Sequence, residues 1–197
     1  MRLLFILISA FFTSASGQQA TEGTTGDAQK LVTIQSIVVE GTRLPAPSVI
    51  RLAQIKTGDK VNFVKLHGAM QKVTQSGLIS NIDFEYESLA DKETDVVLHM
   101  KCTDVKPAAK ASIQIPNVDE GDVWNWLTQV DPLFTRDMPP TEAAIRLYSD
   151  WIGKYMESHG DPKFADNFAV VAHASSSTGG NVPDRLAFTV MKRRAAK

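Results

Sequence analysis

Between Val32 and Val190 one order of elements occurs twice: strand, helix, helix, strand, strand. A sequence that repeats itself at this scale builds from modules, each a supersecondary unit with its own apolar face to cover. The first copy opens on Val32 to Gly41, rich in Val and Ile. Its alternation slips, since Ile34 and Ile37 are three apart while Ile37 and Val39 are two apart. A bulge near Gln35 and Ser36 reconciles them. Pro45 and Pro47 then open a short helix with Val49, Leu52 and Ala53 on one face, stopped by Gly58. A second helix is predicted behind an Asn62 cap, with Leu66, Ala69, Met70 and Val73 at i, i+3, i+4, i+7. Gly77 sits where a left-handed residue ends such a helix. Beyond it the period changes to 2. Ile82, Phe84 and Tyr86 face one way, and Asn81, Asp83, Glu85 and Glu87 the other. Leu89 to Glu93 reads as a polar turn, and Val96, Leu98, Met100 and Cys102 line one face of the next strand.

The second copy follows a short hinge, read as residues 106–110. Ile113 and Ile115 mark a strand, and Val123, Trp126, Leu127 and Val130 a helical stripe ended by Asp131 and Pro132. Thr141 is a candidate cap for a longer helix carrying Ile145, Tyr148, Ile152, Tyr155 and Met156, with Gly160 at its C′ position. Phe168, Val170, Ala172 and Ala174 alternate, a Gly- and Ser-rich turn spans Ser175 to Asp184, and Leu186, Phe188 and Val190 close the unit. The expected fold is α+β: two tandem βααββ modules, each a three-stranded sheet covered on one face by two helices.

Composition narrows the setting. Arg2 precedes an apolar run from Leu3 to Phe12, and the small residues Ala15 and Gly17 place a signal-peptidase cut before Gln18. The run is about half the roughly 20 apolar residues a spanning helix needs. Residues 1–17 therefore read as a cleavable export leader, and 18–30 as a disordered polar tail. Without Arg2, 20 basic residues face 22 acidic ones, a net charge of −2 that gives no basis for nucleic-acid binding. The only cysteine is Cys102, so no internal disulfide can form and apolar burial must hold the fold. On this reading 31–105 is the first domain, 111–192 the second, and 193–197 a frayed basic end.

The first copy resembles the polypeptide-transport-associated (POTRA) repeats of outer-membrane assembly and secretion factors. The likeness lies in Ile34, Ile37 and Val39-Glu40-Gly41, the Gly58 turn, Leu66, and Ser76-Gly77-Leu78 followed by Ile82. The second copy resembles a more divergent repeat through Ala144-Ile145, Tyr148, Ile152, Tyr155 and His159-Gly160-Asp161-Pro162, although Asp131 to Pro140 is longer and richer in Pro than the pattern. The resemblance implies a periplasmic, non-enzymatic scaffold or chaperone-like adaptor. Its implied partners are outer-membrane assembly or secretion components and unfolded client polypeptides. Members commonly bind by adding a strand to an exposed sheet edge, and carry a C-terminal β-barrel for which the residues up to Lys197 leave no room. The expectation is a module acting beside a separately encoded barrel, without a membrane span in its mature form.

Catalytic and cofactor chemistry finds little support. His67, His99, His159 and His173 share no metal-ligand spacing, and Cys102 falls on an apolar face where a thiol behaves as a small hydrophobe. No Lys or helix start follows Ser175-Ser176-Ser177, which argues against a phosphate cradle. No catalytic, metal or cofactor residue is assigned. The candidate protein-binding residues are Asn81, Asp83, Glu85 and Glu87 on an edge strand, where charge either selects a partner or keeps the edge monomeric. Trp124 and Trp151 are the others. With Trp126 in the stripe, Trp124 is expected to face solvent or the first unit, either as an interface anchor or as an edge-of-core or interdomain contact, and Trp151 poses the same choice. The alternative reading is a ligand- or inhibitor-type recognition module using these tryptophans and the 175–184 loop.

Overall fold

The computed structural model describes residues 30–90, 92–177, 179–180 and 182–193. The leader and all but Lys30 of the polar tail lie outside the described residues, as do the last four residues of the basic end. Two units of the same topology follow one another. In the first, β1 (Val32–Glu40) leads into α1 (Ala46–Ala53), β2 (Lys60–Val61), α2 (Phe63–Gln75), β3 (Ile79–Leu89) and β4 (Lys92–Asp104). In the second, β5 (Ala109–Ile113) leads into α3 (Glu120–Val130), β6 (Asp137–Met138), α4 (Glu142–His159), α5 (Phe164–Asn167), β7 (Phe168–Ser175) and β8 (Arg185–Lys192).

Each sheet is four-stranded rather than three-stranded, with order β2-β1-β4-β3 and β6-β5-β8-β7. The additions are two-residue strands, β2 and β6, pinned by single registers such as Val32 opposite Val61 and Ala109 opposite Met138. Strands that short carry no periodicity to read. In both units the first strand runs parallel to the last, and the last two form an antiparallel hairpin. The β1 register shifts between Ile34 and Ser36, the bulge that the broken spacing required.

Local chemistry sets the helix ends. The Asn62 side chain accepts the Lys65 N–H at 2.9 Å, and Thr141 accepts that of Ala144 at 3.2 Å. Some boundaries differ from the expectation. Helix α1 ends at Ala53 with Gln54 left-handed (φ 55°), and Gly58 shapes the later turn into β2. Gly160 caps α4 at φ −137° rather than left-handed. The polar turn expected over Leu89 to Glu93 is tighter, because β3 runs to Leu89 and β4 starts at Lys92. Strand β5 begins at Ala109, inside the stretch read as hinge.

Each unit has its own core. In the first, Ile34, Leu66, Val73, Leu98 and Met100 are almost completely buried. Each such side chain contributes ~1.5–3 kcal/mol relative to exposure. In the second, Tyr148 lies between Phe134 (5.0 Å, edge-on) and Phe188 (6.2 Å, stacked), and its hydroxyl donates to the carbonyls of Leu133 and Thr135. Leu133 and Phe134 come from the Pro-rich stretch that departs from the repeat pattern, and both are buried.

The units meet across a seam. Leu78, at the start of the first unit's hairpin, is buried in the second unit's core, and Leu44 and Leu52 pack against both cores. Asp131 accepts the Ser48 hydroxyl at 2.6 Å, the Arg51 guanidinium at 2.9 Å and the Leu133 N–H at 3.0 Å. Ser48 is fully buried, whereas the Arg51 side chain is 56 % exposed. Asp131→Ala strands the Ser48 hydroxyl and is expected to lower stability by ~2 kcal/mol. Arg51→Ala removes a solvated ion pair and should lower it by less than ~1 kcal/mol. Urea midpoints measure both; equal losses would mean that the ion pair, not the buried hydroxyl, holds the seam.

Candidate functional site

The length of the first unit's hairpin leaves part of its apolar face exposed. Strand β3 has 11 residues and spans ~37 Å, while α2 with 13 residues spans only ~20 Å. The helical layer is therefore shorter than the ribbon it covers. Phe84 is half-buried, but Tyr86 and Leu89 stay 41 % and 40 % exposed on the same strand. Tyr86 lies opposite Leu98 and Phe84 opposite Met100, so both belong to the helix-side face. At the start of α2, exposed Phe63 tilts against Phe84 at 5.5 Å and stacks on His67 at 6.3 Å, beside exposed Val64. Sequence pattern places Phe84 and Tyr86 on an apolar face but gives no sign that this face runs past its helices. Phe63, three residues before Leu66 and seven before Met70, continues the face of that helix's buried stripe, yet it stays 53 % exposed.

Sheet order places β3 at an edge, bonded among the described residues to β4 on one side only. All four of Asn81, Asp83, Glu85 and Glu87 are exposed on its outer face. Asp83 lies opposite Lys101, Glu85 opposite His99 and Glu87 opposite Val97. The Lys101 ammonium donates to Glu85 at 2.7 Å, and His99 Nε2 is 4.0 Å from Glu87. The Asn81 amide donates to Asp83 at 3.2 Å. The bond from Lys101, and then its charge, hold the Glu85 carboxyl below the ordinary carboxylate range. Lys101 is raised in return. In the second unit β7 occupies the equivalent edge.

Trp124 and Trp126 are placed differently from the expectation, whereas Trp151 takes the edge-of-core position that was one of its two readings. Trp124 is 4 % exposed, within the second core, its indole N–H donating to Glu120 at 2.9 Å and its ring edge-on to Tyr148 at 6.3 Å. It faces neither solvent nor the first unit, because Tyr148 draws the buried face of α3 onto Val123, Trp124 and Leu127. Trp126 is displaced to a half-buried cluster with Trp151 (6.0 Å), Tyr155 (5.6 Å) and His159 (5.9 Å). Trp151 is half-buried there, with the Lys154 ammonium 3.9 Å over its ring. In the 175–184 loop, Asp184 accepts from both the backbone and the hydroxyl of Ser177, which hold its carboxyl below the usual range.

Chemical groups elsewhere are dispersed. His67, His159 and His173 are exposed and His99 is half-buried. Among the described residues no group of three or more His, Cys, Asp or Glu side chains could hold a metal ion. Burial pushes the Cys102 thiol up to about 11, and Asp104 adds to that. The thiolate is thus scarce at neutral pH. A cleft of about 220 Å³ between the units is lined by Arg43, Leu78, Asp104 and Tyr148 among others. A larger groove of about 510 Å³ is lined by Leu52, Lys72, Glu142 and Arg146 among others. No described helix is long and apolar enough to cross a membrane.

No family model and no curated protein matches the sequence. Solved structures do. The chain is similar to the N-terminal domain of Omp85 from the thermophilic cyanobacterium Thermosynechococcus elongatus, at 16% identity and a TM-score of 0.39, with 81% of this chain and 62% of that one covered. It is similar to POTRA1-3 of the periplasmic domain of Omp85 from Anabaena, at 12% identity and a TM-score of 0.38, covering 81% and 61%. A third likeness is to POTRA3-5 of BamA from Haemophilus influenzae, at 10% identity and a TM-score of 0.37, covering 83% and 66%. The chain thus spans about three fifths of the first two. Two mixed α+β units in tandem, each a sheet packed with helices, is the architecture that the sequence resemblance implies.

Proposed function

We propose that this chain is a non-enzymatic, periplasmic protein-binding scaffold in outer-membrane protein assembly or secretion, and that it takes up extended polypeptide at the β3 edge. The observation that carries this reading is the open edge itself. Among the described residues, eleven residues of strand are bonded on one side only and flanked by exposed Phe63, Tyr86 and Leu89. Unpaired backbone N–H and C=O groups along an edge accept another strand, and neighbouring apolar side chains add affinity. The periplasmic setting rests on the leader read in residues 1–17 and on the POTRA resemblance.

A photoreactive amino acid at Asp83, introduced in cells, tests the reading. Crosslinks to outer-membrane assembly components or unfolded outer-membrane proteins are expected from Asp83 and not from Lys163 on the second unit. Equal yields from both positions would sink the edge as the binding site. Crosslinks from Trp151 alone would transfer the function to the aromatic cluster of α3 and α4.

A further inference from the structure

The β3 edge has two chemically opposite faces, and this constrains what can dock there. A strand added to an edge, parallel or antiparallel, places each side chain on the same face as the residue it opposes. Residues opposite Phe84 and Tyr86 therefore join the apolar, helix-side face next to Phe63. Residues opposite Asp83, Glu85 and Glu87 join the outer face. There three carboxylates meet Lys101 and His99, and Lys101 is already committed to Glu85 at 2.7 Å. The outer row thus keeps excess negative charge at neutral pH. Like charges placed directly opposite one another destabilise a strand pair, and opposite charges stabilise it.

We propose that the segment accepted at this edge is an extended strand that alternates Lys or Arg with apolar or aromatic residues. Its basic row faces Asp83, Glu85 and Glu87, and its apolar row faces Phe84, Tyr86 and Phe63. This rests on the edge-binding reading and adds a sequence preference to it. The acidic row then has two effects: it repels edge-to-edge pairing with a second copy of β3, whose own outer row is acidic, and it attracts strands of opposite charge.

Three labelled peptides of about nine residues separate the possibilities: Lys alternating with Val, Gln alternating with Val, and Glu alternating with Val. Anisotropy titrations with the full chain are read beside hydrogen–deuterium exchange of the β3 amides. Three charge pairs, each worth a factor of roughly 1.4–5, predict that the Lys peptide binds about tenfold more tightly than the Gln peptide. The Glu peptide should bind weakest. Roughly 0.5 M salt should shrink the difference, because these charges are exposed. The triple variant Asp83→Asn, Glu85→Gln, Glu87→Gln should remove it. Equal affinities with β3 protected would overturn the charge preference and leave the edge reading intact. Binding of the Lys peptide without protection of β3 would also overturn the preference. If no peptide protects β3, the edge reading itself fails.

Discussion

Trp124→Ala is expected to lower the stability of the second unit by ~3–5 kcal/mol, the range for deleting a large aromatic side chain from a core. The ring touches Tyr148, which itself packs on Phe134 and Phe188, so the cavity opens at the centre of the aromatic cluster. Glu120, which accepts the indole N–H, retains the Ile113 N–H at 3.3 Å and Arg136 at 3.6 Å. The loss is therefore one of packing more than of an orphaned acceptor. Trp124→Phe should lose only ~1 kcal/mol, and Trp151→Ala at the half-buried rim a similar amount. All three tryptophans of the chain lie in the second unit, so emission from Trp126 and Trp151 follows that unit alone during urea unfolding. A Trp124→Ala protein of nearly normal stability would show that α3 packs in another phase, with Trp124 outward as its spacing from Trp126 had indicated.

That single residue shows where sequence reasoning reached its limit. The stripe on α3 was legible, but its width was not. Val123 and Leu127 fix the centre, and Trp124 and Trp126 flank it on opposite sides. Helical period alone cannot choose between the flanks. The choice depends on Tyr148 and Phe134, which arrive from α4 and from a Pro-rich segment without periodicity. Features that depend on near neighbours were readable: the Asn62 and Thr141 caps, left-handed Gly77, and the bulge between Ile34 and Ser36. Features set by distant partners were not. Strands β2 and β6 exist because β1 and β5 offer them an edge. At the candidate site, the acidic outer row of β3 followed from alternation. Exposure of Tyr86 and Phe63 depends on the mismatch between hairpin and helix lengths, which no local pattern encodes.

Gly77 joins local backbone geometry to the arrangement of the two units. Its φ is +72°, a region where an L side chain is strained by ~1–2 kcal/mol. A Cβ there would also run into the Thr141 hydroxyl, and would lie 2.9 Å from the Ala144 nitrogen and 3.0 Å from the Ala143 Cβ. These atoms form the first turn of α4. The Thr141 hydroxyl donates to the Gly77 carbonyl at 2.9 Å while accepting the Ala144 N–H, so one side chain caps a helix and ties the units together. The backbone nitrogen of a capped helix cannot yield as a flexible side chain would, so relief must come from opening the seam. Gly58 supplies the control, with φ +88° and no described residue beyond its chain neighbours within 4 Å of where a Cβ would stand. Gly58→Ala should lose only the ~1–2 kcal/mol of backbone strain. Gly77→Val should lose ~3–5 kcal/mol, adding collision to strain. It should also separate unfolding followed by tryptophan emission from unfolding followed by circular dichroism, because the second unit no longer shares the first unit's contacts. Equal losses for Gly58→Ala and Gly77→Val, with coincident transitions, would show that the seam does not couple the units. An intact seam instead fixes the direction of the β3 edge relative to the second unit.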